Sequence, residues 1–580
     1  KVIARFDRYR WGNIARFGGL RIETTPDPDA ARTAAGQLRP GEKRVRDALL
    51  ANGRKRFRGS GTLGFATVPS SAKVRPKSFA SLVEPAELSL KDHFDLAGAG
   101  GERVNGQMVV FSPEADFEVA SLEVTELSKA DGERLRAEDT LFAPVGYLLK
   151  DTAYDLDAYG WWPDPIFAHL QEDFTVGRGD VQSFWLRFHV PRDAAPGVYT
   201  GNARITEKNG AVLSVPIGLR VFGFSLPEAF SLRTAVSTTF VEENSENGEN
   251  FVLAYGLNPA GIYSSSPPTA EDLRRWAKDG RVNAFNLRYV STGYIDGLDA
   301  GKPNKAELDA LLDQIGRTLD EAEAVGLRDE AYFYMFDEVK KDGLPAMKAF
   351  SEAVGERFPD LLTLTTAHPL GSHGNFVELP GIRGWTPRIP GYDPQKAEEA
   401  RERFGREVWW YTANAPRPPY PNLMVTQPAM AHRLLMGFMA IGYQTDGYLL
   451  WRADRNWRKG KYPGVGDDLY VSPGDWPLEE HGQFIPRGPD GPLPSIRLET
   501  FRDGLEDYEY LVRTHSILEE VPEAELSDEY REHLPGIRSF FEPGNRLVRS
   551  FGDFSHDPGE LEAVRRAFGT FIEKHQPDGH

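Results

Sequence analysis

Two adjacent carboxylic acids, Asp337 and Glu338, end an apolar, aromatic and strand-like run over residues 331–336. Residues that directly follow a buried parallel strand lie at the edge of the sheet where enzymes carry their chemistry. Neighbouring acids there can divide the work of cleaving a glycosidic bond. Because successive strand residues face opposite sides, this interpretation requires a bend or bulge over residues 336–338. A solvated strand end is the alternative.

Residue types suited to sugar binding also fall at or near the ends of predicted strands. Sugars stack their C–H faces on aromatic rings and bond through their hydroxyls to polar side chains. By position, the predicted substrate-binding residues are His368, Trp385, Trp410, Trp451 and Asp446. Alternatives stay open, because some of these tryptophans can be core residues, Trp409 and Trp410 must face opposite ways, and Asp446 can cap a helix.

The residues needed for several other chemistries are missing from the sequence. There is no cysteine, which excludes disulfides, thiol nucleophiles and cysteine-based zinc sites. The 12 histidines show no metal-binding spacing, and no G-x-S-x-G nucleophile elbow is present. A G-x-G-x-x-G match at 59–64 has neither the preceding strand nor the following helix of a dinucleotide site. We therefore expect no metal and no cofactor.

The charge distribution limits the partners. A net charge of −18 disfavours nucleic acid, and no window has the roughly 20 apolar residues of a membrane span. Residues 1–60 are basic, with 15 Lys and Arg against 6 Asp and Glu. The densest stretch, 54–58, is interpreted as a solvated strand face or loop, with contact to an anionic glycan as the alternative. Because the chain begins at Lys1 rather than Met, we expect that residues before it were removed, either by a signal peptidase or in preparing the chain, and we expect a secreted or periplasmic location.

The pattern of apolar residues changes near residue 226. Before it, short alternating runs broken by Gly and Pro predict an all-β sandwich region. After it, strands alternate with helices, which predicts a (β/α)8 barrel followed by C-terminal helices. The predicted barrel strands are 232–239, 260–263, 282–289, 331–336, 361–366, 382–386, 408–411 and 447–451. The clearest predicted helices are 305–325, 344–357, 393–404, 427–441, 497–518 and 528–575.

Four domains are predicted from these changes. They are an additional β-rich segment over 1–75, a β-sandwich over 76–225, a catalytic barrel over 226–515 and a helical extension over 516–580. The oligomeric state is not predicted.

Several segments resemble glycoside hydrolase family 123. They are Phe336-Asp337-Glu338, the Trp409-Trp410-Tyr411 run with the proline-rich stretch 416–422, and the segments 446–451 and 497–510. The last segment resembles the part that this family shares with the domain called DUF4091, and residues 182–205 fit the sandwich that precedes the barrel. The resemblance covers approximately residues 100–515 and leaves out 1–75.

The resemblance implies a retaining, exo-acting β-N-acetylgalactosaminidase in which the 2-acetamido group of the substrate is the nucleophile. Glu338 would then be the general acid and base, and Asp337 would hold the acetamido group and stabilise the charge on its nitrogen. Tyr411 is the candidate for a hydroxyl that assists the acetamido oxygen. The partner would be a glycan with a terminal β-linked N-acetylgalactosamine. The alternatives are a conventional hydrolase acting on a hexoside without the acetamido group, and a non-catalytic glycan-binding protein.

Overall fold

The computed structural model describes residues 2–11, 14–24, 38, 40–77, 79–83, 90–136, 140–150, 160–238, 245–259, 261–366, 379, 381–454, 465–471 and 484–576. Its strands are β1 Val2–Trp11, β2 Ile14–Thr24, β3 Phe57–Arg58, β4 Gly64–Pro69, β5 Phe94–Gly100, β6 Arg103–Phe111, β7 Phe117–Val124, β8 Leu127–Ser128, β9 Arg134–Leu135, β10 Leu141–Lys150, β11 Gly160–Ile166, β12 Phe174–Val176, β13 Val181–His189, β14 Gly197–Glu207, β15 Val212–Ser225, β16 Arg233–Val236, β17 Phe285–Val290, β18 Ala331–Met335, β19 Leu362–Thr365, β20 Gly384–Trp385, β21 Glu407–Val408, β22 Trp410–Thr412, β23 Gly447–Leu450, β24 Tyr470–Val471, β25 Val548–Ser550 and β26 Asp553–Phe554. Its helices are α1 Pro40–Arg56, α2 Ser245–Leu253, α3 Ala270–Asp279, α4 Lys305–Glu323, α5 Leu344–Arg357, α6 Pro394–Phe404, α7 Ala429–Met436, α8 Phe438–Gly442, α9 Ile496–Glu520, α10 Asp528–Arg538 and α11 Pro558–His575.

The N-terminal region is β-rich, as predicted, and contains two large sheets. One has the strand order β11-β10-β13-β6-β4, and the other has the order β12-β7-β14-β15-β3 with β5 parallel to β15. Side chains from both sheets share one hydrophobic core, for example Phe65 and Met108 from the first and Tyr199 and Leu213 from the second. The long strand β15 alternates between buried and more exposed positions, because only one of its faces packs on this core.

One helix, α1, lies inside the segment predicted to be β-rich. The interpretation of 54–58 as a strand face or loop is wrong for Arg54, Lys55 and Arg56, which form the last turn of α1. Positive side chains are favourable there because the helix carboxyl end has a partial negative charge. The domain boundaries stay predictions, although β4, which precedes residue 75, pairs with β6 in the first large sheet.

After residue 226 all strand pairs up to β23 are parallel. Strands β17, β18, β19, β20 and β21 pair in chain order, and β22 pairs with β23, which pairs with β16. Only Trp409 separates β21 from β22, and its backbone N–H donates to the carbonyl of Trp385 at 2.9 Å. The predicted helices 305–325, 344–357 and 393–404 correspond to α4, α5 and α6. The predicted helix 427–441 is divided into α7 and α8 at Gly437, where a Cβ would lie 3.0 Å from the carbonyl oxygen of Gly504 in α9.

The predicted second strand, 260–263, is wrong for its described residues, 261–263. This segment lies between β16 and β17, but side-chain amides replace part of the backbone ladder. Asn286 Nδ2 donates to the carbonyl of Ile262 at 2.9 Å, and Asn258 Nδ2 donates to that of Thr234 at 2.9 Å. These side chains satisfy backbone oxygens that a regular strand would pair with backbone N–H groups.

The parallel strands separate two hydrophobic clusters. Alternate residues, including Tyr334, Leu364, Tyr411 and Leu449, form an inner cluster. Their strand neighbours belong to a larger core that also contains residues of the helices. Since a strand has a period of two residues, whether a side chain lies in the inner cluster or under the helices is fixed by the strand register.

The C-terminal region is not wholly helical, which corrects the prediction of a helix over 528–575. The hairpin β25–β26 lies between α10 and α11. Asn545 Oδ1 accepts hydrogen bonds from the backbone N–H groups of Leu547 and Val548, both at 2.9 Å, and so stabilises the turn that leads into β25. No helix of the described residues is long and apolar enough to cross a membrane.

Candidate active site

The backbone bends sharply where β18 ends. Every residue of β18 is buried, and the next residue, Phe336, has φ +61°, while Glu338 has φ +45°. Left-handed conformations of non-glycine residues cost about 1–3 kcal/mol each and persist only when neighbouring groups hold them. Here Phe336 is held on both sides, because its N–H donates to Val290 and its carbonyl accepts from Thr365 Oγ1, each at 2.9 Å. This is the bend that a site containing both acids requires.

Three hydroxyl groups donate to the carboxylate of Asp337. Tyr334 and Thr366 donate to Oδ1 at 2.7 and 2.8 Å, and Tyr263 donates to Oδ2 at 2.8 Å. Burial raises the pKa of Tyr263 and of Tyr334 above the usual value, and the negative charge of Asp337 raises each pKa further. The two phenols therefore stay protonated and act as donors at neutral pH.

Glu338 has different surroundings although it is the next residue. Its side chain is exposed, and Tyr411 donates to its Oε1 at 2.7 Å. Burial raises the pKa of Tyr411 above its usual value, and the hydrogen bond with Glu338 adds to the rise. The prediction that Tyr411 assists an acetamido oxygen stays a prediction, and the structure adds a direct contact with the second acid.

An aromatic cluster lies under the two acids. The rings of Tyr263 and Tyr289 meet edge to face with centroids 5.1 Å apart, and those of Tyr289 and Tyr334 stack at 5.7 Å. Burial and the charge of Asp337 also raise the pKa of Tyr289. The carboxylate of Asp337 therefore lies at the hydroxyl end of this cluster, and hydroxyl groups from three segments of the chain contact it.

Two of the predicted sugar-binding tryptophans are core residues, which corrects that prediction. Trp385 is 2% exposed and Trp410 is 0% exposed, and both belong to the cluster beneath the helices. The ring of Trp410 packs against Tyr392 and Phe551 with centroids 5.4 Å away in each case. The reason is strand alternation, since Tyr411 belongs to the inner cluster and its neighbour Trp410 must face the helices.

The prediction for Asp446 is also wrong. Asp446 precedes β23, so it lies at the end of the parallel strands opposite to Asp337 and Glu338. Its Oδ2 accepts from Arg401 Nε at 3.1 Å and from the backbone N–H of Val408 at 2.7 Å, which is a structural arrangement. Burial raises its pKa, and the opposite charge of Arg401 reduces the rise.

Two predicted sugar-binding residues remain, Trp451 and His368. Trp451 follows β23 at the same end of the strands as the acids, is half-buried and packs against the inner cluster that contains Tyr411. His368 lies outside the described residues. The binding roles of both remain predictions.

Tyr263, Tyr334 and Thr366 belong to the site but were not predicted from the sequence. Its position in the sequence could have indicated Thr366, because Thr366 is the first residue after β19 and Asp337 is the second residue after β18. Tyr334 was treated as part of a buried strand, and its hydroxyl reaches the strand end only because the phenol ring is long. Within the described residues no group of three or more His, Asp or Glu side chains is arranged to hold a metal ion.

Comparison with known proteins identifies the family of this chain. A model described as the glycoside hydrolase 123 N-terminal domain matches residues 79–207, and one described as the glycoside hydrolase 123 catalytic domain matches residues 276–514. Together they cover more than half of the chain, so the protein is a glycosidase. It belongs to glycoside hydrolase family 123. No curated protein matches the sequence.

Among solved structures, one shares the fold of this chain, and two other glycoside hydrolases have only a weak likeness to it. A family 123 glycoside hydrolase from Clostridium perfringens, described for its hydrolysis of glycolipid glycans, is 12% identical with a TM-score of 0.59, and the match covers 88% of this chain and 97% of that one. A family 39 glycoside hydrolase from Bacteroides cellulosilyticus is 12% identical over 67% of this chain and 80% of its own, with a TM-score of 0.31. A β-glucuronidase from Bacteroides uniformis is 10% identical over 62% and 45%, with a TM-score of 0.23.

Proposed function

We propose that the protein is an exo-acting, retaining β-N-acetylgalactosaminidase that uses the 2-acetamido group of its substrate as the nucleophile. The acetamido carbonyl oxygen forms a bond to the anomeric carbon while the bond to the leaving oxygen breaks. Glu338 gives its proton to that leaving oxygen, and Asp337 accepts a hydrogen bond from the acetamido N–H. Water then attacks the anomeric carbon while its bond to the acetamido oxygen breaks, Glu338 takes up a proton of the water, and the product keeps the β configuration with its acetamido group restored.

The observation that carries this proposal is the unequal surroundings of two adjacent acids at one bend. Three donated hydrogen bonds stabilise negative charge on Asp337, and negative charge is what the developing positive charge on the acetamido nitrogen needs. Glu338 is exposed, so it can reach a leaving group and exchange protons with water. Because the nucleophile belongs to the substrate, no third carboxylate is required on the other face of the sugar.

The test compares two aryl glycosides that differ only at C2. We expect hydrolysis of an aryl N-acetyl-β-galactosaminide and no comparable hydrolysis of the matching β-galactoside. Nuclear magnetic resonance of the first product should show the β anomer. Equal rates on both glycosides would contradict the substrate-assisted mechanism and favour a conventional hydrolase, and binding without turnover would favour a glycan-binding protein.

A glycolipid glycan is the first natural substrate class to test. The Clostridium perfringens relative hydrolyses glycolipid glycans. We expect release of terminal β-linked N-acetylgalactosamine from a neutral glycosphingolipid in detergent micelles. The matched control is the same glycolipid with terminal β-linked galactose, from which no sugar should be released.

We also propose that the parallel strands form a closed (β/α)8 barrel. Two observations support closure: the last strand, β23, pairs with the first, β16, and the segment 261–264 lies between β16 and β17. The backbone N–H of Tyr289 already donates to Ser264 at 2.9 Å. A crystal structure should show this segment filling the space between β16 and β17, and an open gap between these two strands would contradict the barrel.

A further inference from the structure

The hydroxyl of Thr366 joins the two acids. The backbone N–H of Glu338 donates to Thr366 Oγ1 at 2.9 Å, and Oγ1 donates to Asp337 Oδ1 at 2.8 Å. An amide can only donate, so Oγ1 accepts from Glu338. Its single proton is left for Asp337 Oδ1 at 2.8 Å or for the hydroxyl of Tyr334 at 3.0 Å, and the carboxylate is the nearer and stronger acceptor. One side chain on the strand next to β18 therefore connects the carboxylate of one acid with the backbone of the other.

The hydrogen bonds to Asp337 leave one acceptor position open. A carboxylate has about four acceptor positions, two on each oxygen. Tyr334 and Thr366 occupy those of Oδ1, and Tyr263 occupies one on Oδ2. Within the described part of the chain no other donor contacts Oδ2. The bond from Thr366 thus helps to decide which oxygen, and which of its lone pairs, faces the substrate.

The backbone bend over residues 336–338 does not by itself fix the orientation of the Asp337 carboxylate or of the Glu338 side chain. The aspartate side chain can rotate about χ1 and χ2, and the side chain of Glu338 is exposed. Thr366 is suited to fix them because it is 5% exposed and directly follows β19, which pairs with β18. Its neighbour Thr365 holds the carbonyl of Phe336, so two successive residues at the end of β19 bond to the bend over residues 336–338.

We propose that Thr366 is a positioning residue, whose hydroxyl holds the Asp337 carboxylate and the Glu338 backbone in one relative placement and turns the open acceptor position of Asp337 Oδ2 toward the substrate. This inference rests on the proposed function for the identity of the group that meets Oδ2. The placement of the two acids by Thr366 does not depend on which sugar is bound.

The test uses three variants. Thr366→Val keeps the shape and removes the hydroxyl, and Thr366→Ser keeps the hydroxyl. Thr363→Val is the matched control, because Thr363 is a buried residue of the same strand whose Oγ1 donates to Gly381 at 2.8 Å and contacts neither acid. With an aryl N-acetyl-β-galactosaminide, kcat of Thr366→Val should fall about 10- to 100-fold with a much smaller change in KM, because misplaced catalytic groups lose mainly transition-state contacts.

Thr366→Ser should recover most of kcat, and Thr363→Val should keep kcat near that of the wild type although its Tm falls. Three outcomes overturn the inference: a Thr366→Val variant with unchanged kcat, a serine variant as impaired as the valine variant, or an equal loss in Thr363→Val. A crystal structure of Thr366→Val gives an independent result, since we expect a rotated Asp337 carboxylate or a shifted Glu338 peptide. A variant structure in which Asp337 and Glu338 keep their wild-type positions would also overturn the inference.

If the proposed function is wrong, the wild-type enzyme itself gives a different result from the one expected. In that case the wild type itself does not hydrolyse the N-acetylgalactosaminide, or hydrolyses the plain galactoside equally well. The variants are then compared on the aryl glycoside that the wild type does cleave, and the crystal structure is interpreted in the same way.

Discussion

At the scale of single residues, Asp337 and Glu338 are adjacent in the sequence but differ in the groups that contact them. Asp337 accepts hydrogen bonds from three side-chain hydroxyls, whereas Glu338 accepts one from Tyr411 and is open to solvent. Left-handed backbone at Phe336 and Glu338 makes this possible, because a regular strand would direct the two side chains to opposite faces.

Substitution of each acid should affect different steps. Glu338→Gln cannot donate a proton, so kcat should fall about 10²- to 10⁴-fold for poor leaving groups and much less for good ones. Asp337→Asn should lower kcat by a similar factor whatever the leaving group, because it weakens stabilisation of the acetamido nitrogen. Rates with a series of aryl N-acetyl-β-galactosaminides of different leaving-group acidity measure both effects.

A nearby exposed acid provides the control for these two variants. Asp342 is exposed and contacts neither acid, so Asp342→Asn should keep the wild-type rate with every leaving group. If Glu338→Gln lost the same factor with all leaving groups, Glu338 would not be the proton donor.

The role of Tyr411 can be decided by the same series. Its hydroxyl contacts Glu338, and a hydrogen bond contributes about 0.5–1.5 kcal/mol, so Tyr411→Phe should lower kcat by about 2- to 10-fold. If Tyr411 only orients Glu338, the loss should grow as the leaving group becomes poorer. If it assists the acetamido oxygen, the loss should be equal for all leaving groups. Tyr420→Phe on an exposed loop is the control and should be active.

At the scale of elements, the sequence predicted the order of strands and helices well because hydrophobic periodicity is a local property. The apolar run 331–336 placed Asp337 and Glu338 at a strand end, and the structure has β18 there. The tryptophans were harder, because Trp385 and Trp410 are as suitable for a core as for a sugar. Only the register of a strand against its helices decides between the two, and register depends on contacts that are distant in the sequence.

Errors at element ends have a similar physical origin. Asp446 was assigned to the site because it is close in sequence to a strand, but it lies at the strand start, where Arg401 pairs with it. The segment 261–263 was assigned as a strand from its composition, whereas side-chain amides from Asn258 and Asn286 take part of the backbone pairing. Neither partner set can be recognised from local sequence.

We expect a buried glutamate of helix α9, Glu509, to make the stability of the protein depend on pH. Burial raises the pKa of Glu509 from 4.5 to about 7, although two bonds from Ser231 favour its charged form. The folded pKa lies above the unfolded one, so this group lowers stability as pH rises from about 4.5 to 7, by about 3 kcal/mol in total. Glu509→Gln cannot ionise, and its Tm relative to the wild type should therefore rise between about pH 4.5 and pH 8.

Calorimetry at both pH values measures this difference. Glu520→Gln, at the exposed end of the same helix, is the control and should show no such dependence on pH. A Glu509→Gln variant whose Tm difference from the wild type is the same at both pH values would contradict the assignment of a raised pKa.

At the scale of the whole molecule, buried ion pairs connect the β-rich region with the helices that surround the parallel strands. Asp507 in α9 accepts from Arg433 at 2.6 Å and from Arg565 at 2.8 Å, and Arg565 also pairs with Glu102 between β5 and β6. Arg497 in α9 pairs with Asp164 in β11 at 2.7 Å, and both are fully buried. A buried charge that loses its partner is costly, so these pairs fix one docking arrangement of the two regions.

The tyrosines give the molecule a common response to alkaline pH. Burial raises the pKa of Tyr263, Tyr334 and Tyr411 at the site, and likewise of Tyr147, Tyr255, Tyr332, Tyr448 and Tyr510 elsewhere. In the unfolded chain these phenols ionise near pH 10. Because the folded pKa is the higher one, the stabilising contribution is complete below about pH 10 and is lost as pH rises above it.

Ultraviolet titration of tyrosinate should therefore show part of the 21 tyrosines ionising only together with the loss of the near-ultraviolet circular dichroism. Urea-unfolded protein is the control, in which all tyrosines should ionise in one step. If the folded protein ionised all of them in that same step with its circular dichroism intact, the raised pKa of the buried phenols, including those at Asp337 and Glu338, would be wrong.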